Sequence, residues 1–100
     1  WNRQVASLLE RSGLPSPVLE HPVPADGIVW RLDLAYPEVR LGVELQSAAW
    51  HLDRRAQRRD AHKSRALQRQ GWLVYPFTWS EWRESPTALV LLVAAGYAAM

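Results

Sequence analysis

The sequence predicts an α/β fold: a mixed β-sheet flanked by helices, with elements in the order α-β-β-β-α-β-α. Three observations carry this expectation. Apolar and polar residues alternate along two neighbouring segments, Ile28–Tyr36 and Leu41–Gln46. A charged helical stretch separates them from a further strand-like run, WLVYPF at Trp72–Phe77. Helical spacing marks the two ends of the chain. A strand, a helix and another strand in succession form a crossover, which sets the last strand parallel to its neighbour.

Taken in order, Val5, Leu8 and Leu9 repeat at helical spacing from about Asn2 to Arg11, and Gly13 followed by Pro15 and Pro17 ends that helix. Val18 to Pro22 reads as a short strand. Ala25-Asp26-Gly27 marks a hairpin turn into Ile28–Tyr36, and Tyr36-Pro37-Glu38 turns the chain into Leu41–Gln46, pairing those strands antiparallel. Asp53 is a fair N-cap for a helix running to about Gln70, with Gly71 as its stop. Pro76 suits an edge strand. Ser80 is the candidate cap of a short helix through Arg83, and Ser85-Pro86 opens a last helix with proline at its first position.

Composition narrows the class. Of 100 residues, 48% are apolar and six are tryptophan, so the chain forms one packed domain rather than a disordered tail. With no cysteine there are no disulfides or thiolate metal sites, which fits a reducing cytoplasm. No secretory signal pattern opens the chain, and the absence of an initiator methionine reads as a piece cut from a longer protein. Thr87 to Met100 is uncharged and largely apolar, yet shorter than the ~20 residues of a membrane span. A buried terminal helix or an interface helix is expected there.

Strand alternation places Val29, Arg31 and Asp33 on one side of the first half-polar strand and Trp30, Leu32 and Leu34 on the other. On the second strand, Glu44 and Gln46 oppose Leu41, Val43 and Leu45. Asp33 and Glu44 are therefore expected side by side. Two neighbouring carboxylates repel unless a cation lies between them, and oxygen-only ligands suit Mg²⁺. Solvent-facing acids are also common on half-exposed hairpins, so the surrounding residues decide between the two readings. Arg54, Arg55, Arg58, Arg59, Lys63, Arg65 and Arg69 crowd one helix against Asp53 and Asp60 alone. A one-sided cationic helix is the footprint expected for phosphate backbones. Ala56, Asp60, Lys63 and Leu67 share one face of it, with Ala56 and Leu67 anchoring the helix on the sheet and Asp60 and Lys63 turned toward the acids. Trp50-His51 follows the Glu44 strand closely, and a histidine there suits a general base. His62 points elsewhere, and a lone histidine such as His21 is usually structural.

These pieces together resemble a known group. RLDLAYP at Arg31–Pro37, GVELQ at Gly42–Gln46, WH at Trp50-His51, RRDAHKSRALQRQGWLV at Arg58–Val74 and FTW at Phe77–Trp79 are similar to the domain related to very-short-patch repair endonucleases, within the PD-(D/E)xK nuclease superfamily. The resemblance covers most of the chain. It implies a restriction-endonuclease-like fold, with Asp33 and Glu44 holding Mg²⁺ or Mn²⁺ and the Leu45 carbonyl completing the site. It also implies a catalytic set of Asp33, Glu44, Gln46, His51 and Lys63. Such domains often form the C-terminal part of bacterial proteins whose N-terminal part resembles a winged-helix antitoxin module.

This chain departs from the family's pattern in two places. Gln46-Ser47 replaces the usual Asp-Gly, and Gln46 stands where the superfamily's lysine is common, so Lys63 from the helix would supply the positive charge. The first helix carries no acid near Asn2, and Glu10 is in the wrong register. The leading expectation is a metal-dependent DNA endonuclease whose backbone contacts come from Arg54, Arg55, Arg58, Arg59, Lys63 and Arg65. A non-cutting DNA-binding copy of the fold, serving an antitoxin or regulator, is the alternative. A third reading is an interaction domain that pairs with a second copy through the last helix, around Leu89, Leu92 and Val93.

Overall fold

Strand alternation and crossover topology shape the sheet as expected, in a computed structural model that describes residues 1–46 and 54–100. Helix α1 (Asn2–Arg11) leads into β1 (Val18–Ala25) and β2 (Ile28–Tyr36), then a 3-10 turn (Pro37–Val39) and β3 (Leu41–Gln46). Helix α2 (Arg54–Arg69), β4 (Leu73–Thr78), α3 (Trp79–Glu84) and α4 (Pro86–Ala99) follow. The four strands lie in sequence order, with β1–β2 and β2–β3 antiparallel and β3–β4 parallel. Pro76 lies on β4, an edge strand, where its missing N–H is tolerated.

Local chemistry explains the boundaries. Gly71, at φ 82°, turns the chain out of α2, with Trp72 N–H donating to the Leu67 carbonyl and Gly71 N–H to that of Gln68. The first strand is longer than expected, continuing through both prolines to Ala25. The cap of α3 also differs: Thr78, not Ser80, accepts from Glu81 N–H while Glu81 returns to the Thr78 N–H, a reciprocal capping box. Asp53, the expected cap of α2, lies outside the described residues.

The sheet is covered on both faces, which corrects the half-polar hairpin. Helices α1 and α4 bury Val5, Leu9, Leu89 and Val93 against Leu34, Tyr36, Leu41, Val43 and Phe77. On the other face, Leu67 of α2 packs with Val23, Leu32, Ala35 and Trp72, and Ala66 packs with Ala25 and Trp30. Complete burial of a leucine is worth about 1.5–3 kcal/mol, so Leu32 and Leu34, both 0% exposed, pull β2 in two directions. Tyr36 donates its hydroxyl to the Pro15 carbonyl at 2.9 Å, and burial pushes its pKa up to about 12, so it stays a neutral donor.

Leu32 and Leu34 should share a face in a regular strand, yet they enter opposite cores. The same switch occurs on β1, where Leu19 packs with the α1/α4 core and Val23 with the α2 core. Between them Glu20 adopts φ 52°, and the β1–β2 ladder skips the rung that would pair Glu20 with Asp33. A left-handed residue other than glycine costs about 1–2 kcal/mol. Here it twists both strands at once, and Asp33 sits at the twist.

Gly42 permits this arrangement, because a Cβ there would come within 2.9 Å of Leu32 Cδ1. Gly42→Val is therefore expected to displace Leu32 and lower stability by about 1–3 kcal/mol in urea denaturation.

A candidate metal and phosphate site at a strand fork

Antiparallel pairing of β2 with β3 runs from Tyr36↔Leu41 to Leu34↔Val43. The next rung would pair Asp33 with Glu44, and there the strands part. Asp33 takes over the ladder's role with its side chain, Oδ2 accepting the Leu45 N–H at 2.8 Å. Beyond this point β2 continues with β1, and β3 continues with β4 through Glu44↔Pro76 to Gln46↔Thr78.

Lys63 of α2 reaches into the fork. Its ammonium donates to the Arg31 carbonyl on the freed edge of β2 and forms an ion pair with Glu44 Oε1. Both side chains are only 19% exposed. Glu44 Oε1 is buried, and the Lys63 ammonium answers its charge. Burial raises the Glu44 pKa to about 7; Lys63 pulls it down, while the neighbouring Asp33 charge and a hydrogen bond with Asp33 push it up. The fork therefore contains two neighbouring acids and one lysine.

Three of the four grouped α2 residues meet the sheet as expected: Asp60 and Lys63 line a cleft with Glu44 and Gln46, and Leu67 is buried in the core, while Ala56 is half-buried and belongs to neither the cleft lining nor a core cluster. The cleft has a volume of ≈310 Å³, and Leu45, Val74 and Pro76 form its apolar side. Gln46 is half-buried at the end of β3. Arg54, Arg55, Arg58, Arg59 and Arg65 are exposed on α2, and from Arg54 to Arg65 they span about 16 Å of helix axis. Arg59 is exposed and does not line the cleft. Arg69, at the far end, pairs with Asp26 at 2.8 Å. His62 stands edge-on to Trp30, with ring centroids 5.2 Å apart, and His21 lies against Trp72 at 5.7 Å. Both are packing histidines. His51, the expected base, lies outside the described residues.

Two neighbouring hard carboxylates, Asp33 and Glu44, fit a divalent cation of the Mg²⁺ type, which commonly uses one or two carboxylates and fills its other positions with water and phosphate. Among the described residues no group of three histidine, aspartate or glutamate side chains converges, so a closed all-protein cage such as structural zinc prefers is not built from them. Glu20, opposite Asp33, is turned outward to accept from Asn2 Nδ2 at 3.2 Å. Its role in bending β1 has no sequence signal, because nothing in its neighbourhood marks a left-handed residue.

No family model matches the chain, and no solved structure matches it. The chain is similar to two curated proteins of Mycobacterium tuberculosis, uncharacterized protein MT2308 of strain CDC 1551 / Oshkosh and uncharacterized protein Rv2248 of strain ATCC 25618 / H37Rv. Each is 35% identical over 83 residues, covering 82% of this chain and 31% of the relative. The chain thus spans about a third of the length of the curated relatives it matches.

Proposed function

We propose that this domain hydrolyses phosphodiester bonds of DNA with the help of a divalent metal ion, Mg²⁺ or Mn²⁺. The observation that carries the reading is the fork itself: Asp33 and Glu44 brought together where two strands part, with Lys63 inserted beside them and an arginine-rich helix alongside. Asp33 and Glu44 would hold the metal, which supplies Lewis-acid polarisation of a phosphate and a nucleophile at neutral pH.

The chain's own residues supply the rest. Lys63, tethered by the Arg31 carbonyl, holds positive charge where phosphate oxygens gain negative charge. The Gln46 amide orients water through hydrogen bonds but adds no charge. The exposed arginines bind flanking phosphates and fix register without reading sequence. The DNA target, the metal and the resemblance to very-short-patch repair endonucleases belong to this proposal together.

Plasmid nicking in Mg²⁺ or Mn²⁺ tests it. Wild type nicks, and Asp33→Ala loses at least a hundredfold in rate while keeping its DNA affinity. Cleavage unchanged in Asp33→Ala would sink the reading.

The Lys63–Glu44 ion pair favours a second reading, since it answers the Glu44 charge without any metal, and Gln46 lacks the charge that catalysis uses. On that reading the domain binds DNA without cutting it. Its signature is steep loss of affinity between 50 and 200 mM salt, roughly 10³-fold or more for about six phosphate contacts, with no nicking in either metal.

A further inference from the structure

The cleft beside Glu44 and Lys63 is larger than metal and phosphate need. At ≈310 Å³ it lies at the lower end of small-molecule pockets. Its two sides differ in chemistry. Leu45, Leu67, Val74 and Pro76 give an apolar wall, and Gln46, Asp60 and Ser64 give a polar rim. Those three rim side chains make no hydrogen bond or ion pair to another described residue. An apolar slot with free amide, carboxylate and hydroxyl groups along one edge matches a nucleobase, which has an apolar face and a hydrogen-bonding edge.

Resting on the reading of the fork as a phosphodiester site, we propose that the cleft accepts one nucleotide out of the base stack, so that the substrate strand is single-stranded or locally opened. The backbone of that nucleotide meets Lys63 at the cleft's polar end, and its base lies against Val74 and Pro76. Asp60 accepts from an exocyclic amine of the base, and the Gln46 amide both donates and accepts. The arginines of α2 hold the strand on either side and supply the charge complementarity that brings it there. Removing a base from a paired stack costs a few kcal/mol, and least when the strand is already single. Single-stranded DNA is therefore expected to bind at least about tenfold more tightly than the same sequence in a duplex.

The probe is a DNA oligonucleotide carrying one 2-aminopurine, whose fluorescence rises when it leaves the stack. None of the described lining residues is aromatic, so the cleft does not quench the probe again by stacking. The expected result is a rise in fluorescence on binding wild type, and the same rise with Asp33→Asn, which keeps the hydrogen bond from Leu45 but not the charge. Ser64→Trp fills the cleft from an exposed helical position and loses the rise, while anisotropy shows the oligonucleotide still bound through α2. Pro76→Trp, from the opposite wall, gives the same loss as Ser64→Trp. The proposal is overturned if wild type binds the oligonucleotide without a rise, if it binds no DNA, or if both tryptophan variants keep the rise. A rise without cleavage in either metal leaves the cleft assignment standing and removes the nuclease reading, so the two fail separately.

Discussion

In metal-free buffer, Glu44→Gln flattens the pH profile of stability, so that its effect at pH 8 is more favourable than its effect at pH 5 by about 3 kcal/mol. The Glu44 pKa moves from 4.5 to about 7 on folding, chiefly through burial, and each tenfold change in proton affinity is worth about 1.4 kcal/mol. Between those values the folded state holds a proton that the unfolded state has released. Stability from this group is thus fully present below about pH 4.5 and is lost as pH rises to about 7. Glutamine keeps the shape and removes the titration, so the variant's pH profile is flatter by that amount. Urea denaturation of both proteins at pH 5 and pH 8 measures it. The same substitution removes a proposed metal ligand and leaves Lys63 without its carboxylate partner at every pH, so only the pH dependence of the difference reports the Glu44 titration.

The second large effect is expected from Lys63→Met, and it has the opposite sign. Removing one partner of a poorly exposed ion pair leaves the other charge uncompensated, at a cost of about 3–5 kcal/mol. That cost appears at alkaline pH, where Glu44 is ionised, and largely disappears at pH 5, where it is protonated; without Lys63 the Glu44 pKa rises further, so the transition lies above pH 7. Combining Lys63→Met with Glu44→Gln should restore most of the stability at pH 8, because the double variant buries no lone charge. If the nuclease reading is right, Lys63→Met also loses roughly 10²–10³ in nicking rate under conditions where it remains folded. Parallel unfolding and nicking measurements separate the two contributions.

Much of this fold was legible because each signal was local. Alternation marked β2 and β3, Asp26-Gly27 marked the hairpin, and the steps from Ala56 to Leu67 placed Asp60 and Lys63 on the sheet-facing side of α2, where the structure has them. Asp33 and Glu44 came out as neighbours because the turn fixed their register. The exchange of faces between Leu32 and Leu34 was not legible. Both are leucine, so hydropathy cannot say which core each enters, and the exchange coincides with a positive φ at Glu20 on a different strand. The α3 cap was a matter of choosing between two hydroxyls: Thr78 with Glu81 three residues on carries the capping-box spacing, and Ser80 lacks it.

Helix α4 is apolar on every side, with Leu89 and Val93 fully buried and Leu91 and Leu92 exposed at 65% and 43%. Pairing of two copies through that helix remains a proposal, and light scattering on wild type and Leu91→Glu would decide it. No helix among the described residues is long and apolar enough to cross a membrane.

The claim on which the rest depends is that Asp33 and Glu44 together hold a divalent cation, and calorimetric titration with Mn²⁺ tests it most directly. The account predicts one site per chain, lost in Asp33→Ala. Binding should release a proton at pH 6, where Glu44 is largely protonated, and release little at pH 8.5; repeating the titration in buffers of different ionisation enthalpy reads this out. No binding at millimolar Mn²⁺, or binding that Asp33→Ala leaves unchanged, would contradict the account and leave α2 as a DNA-docking surface.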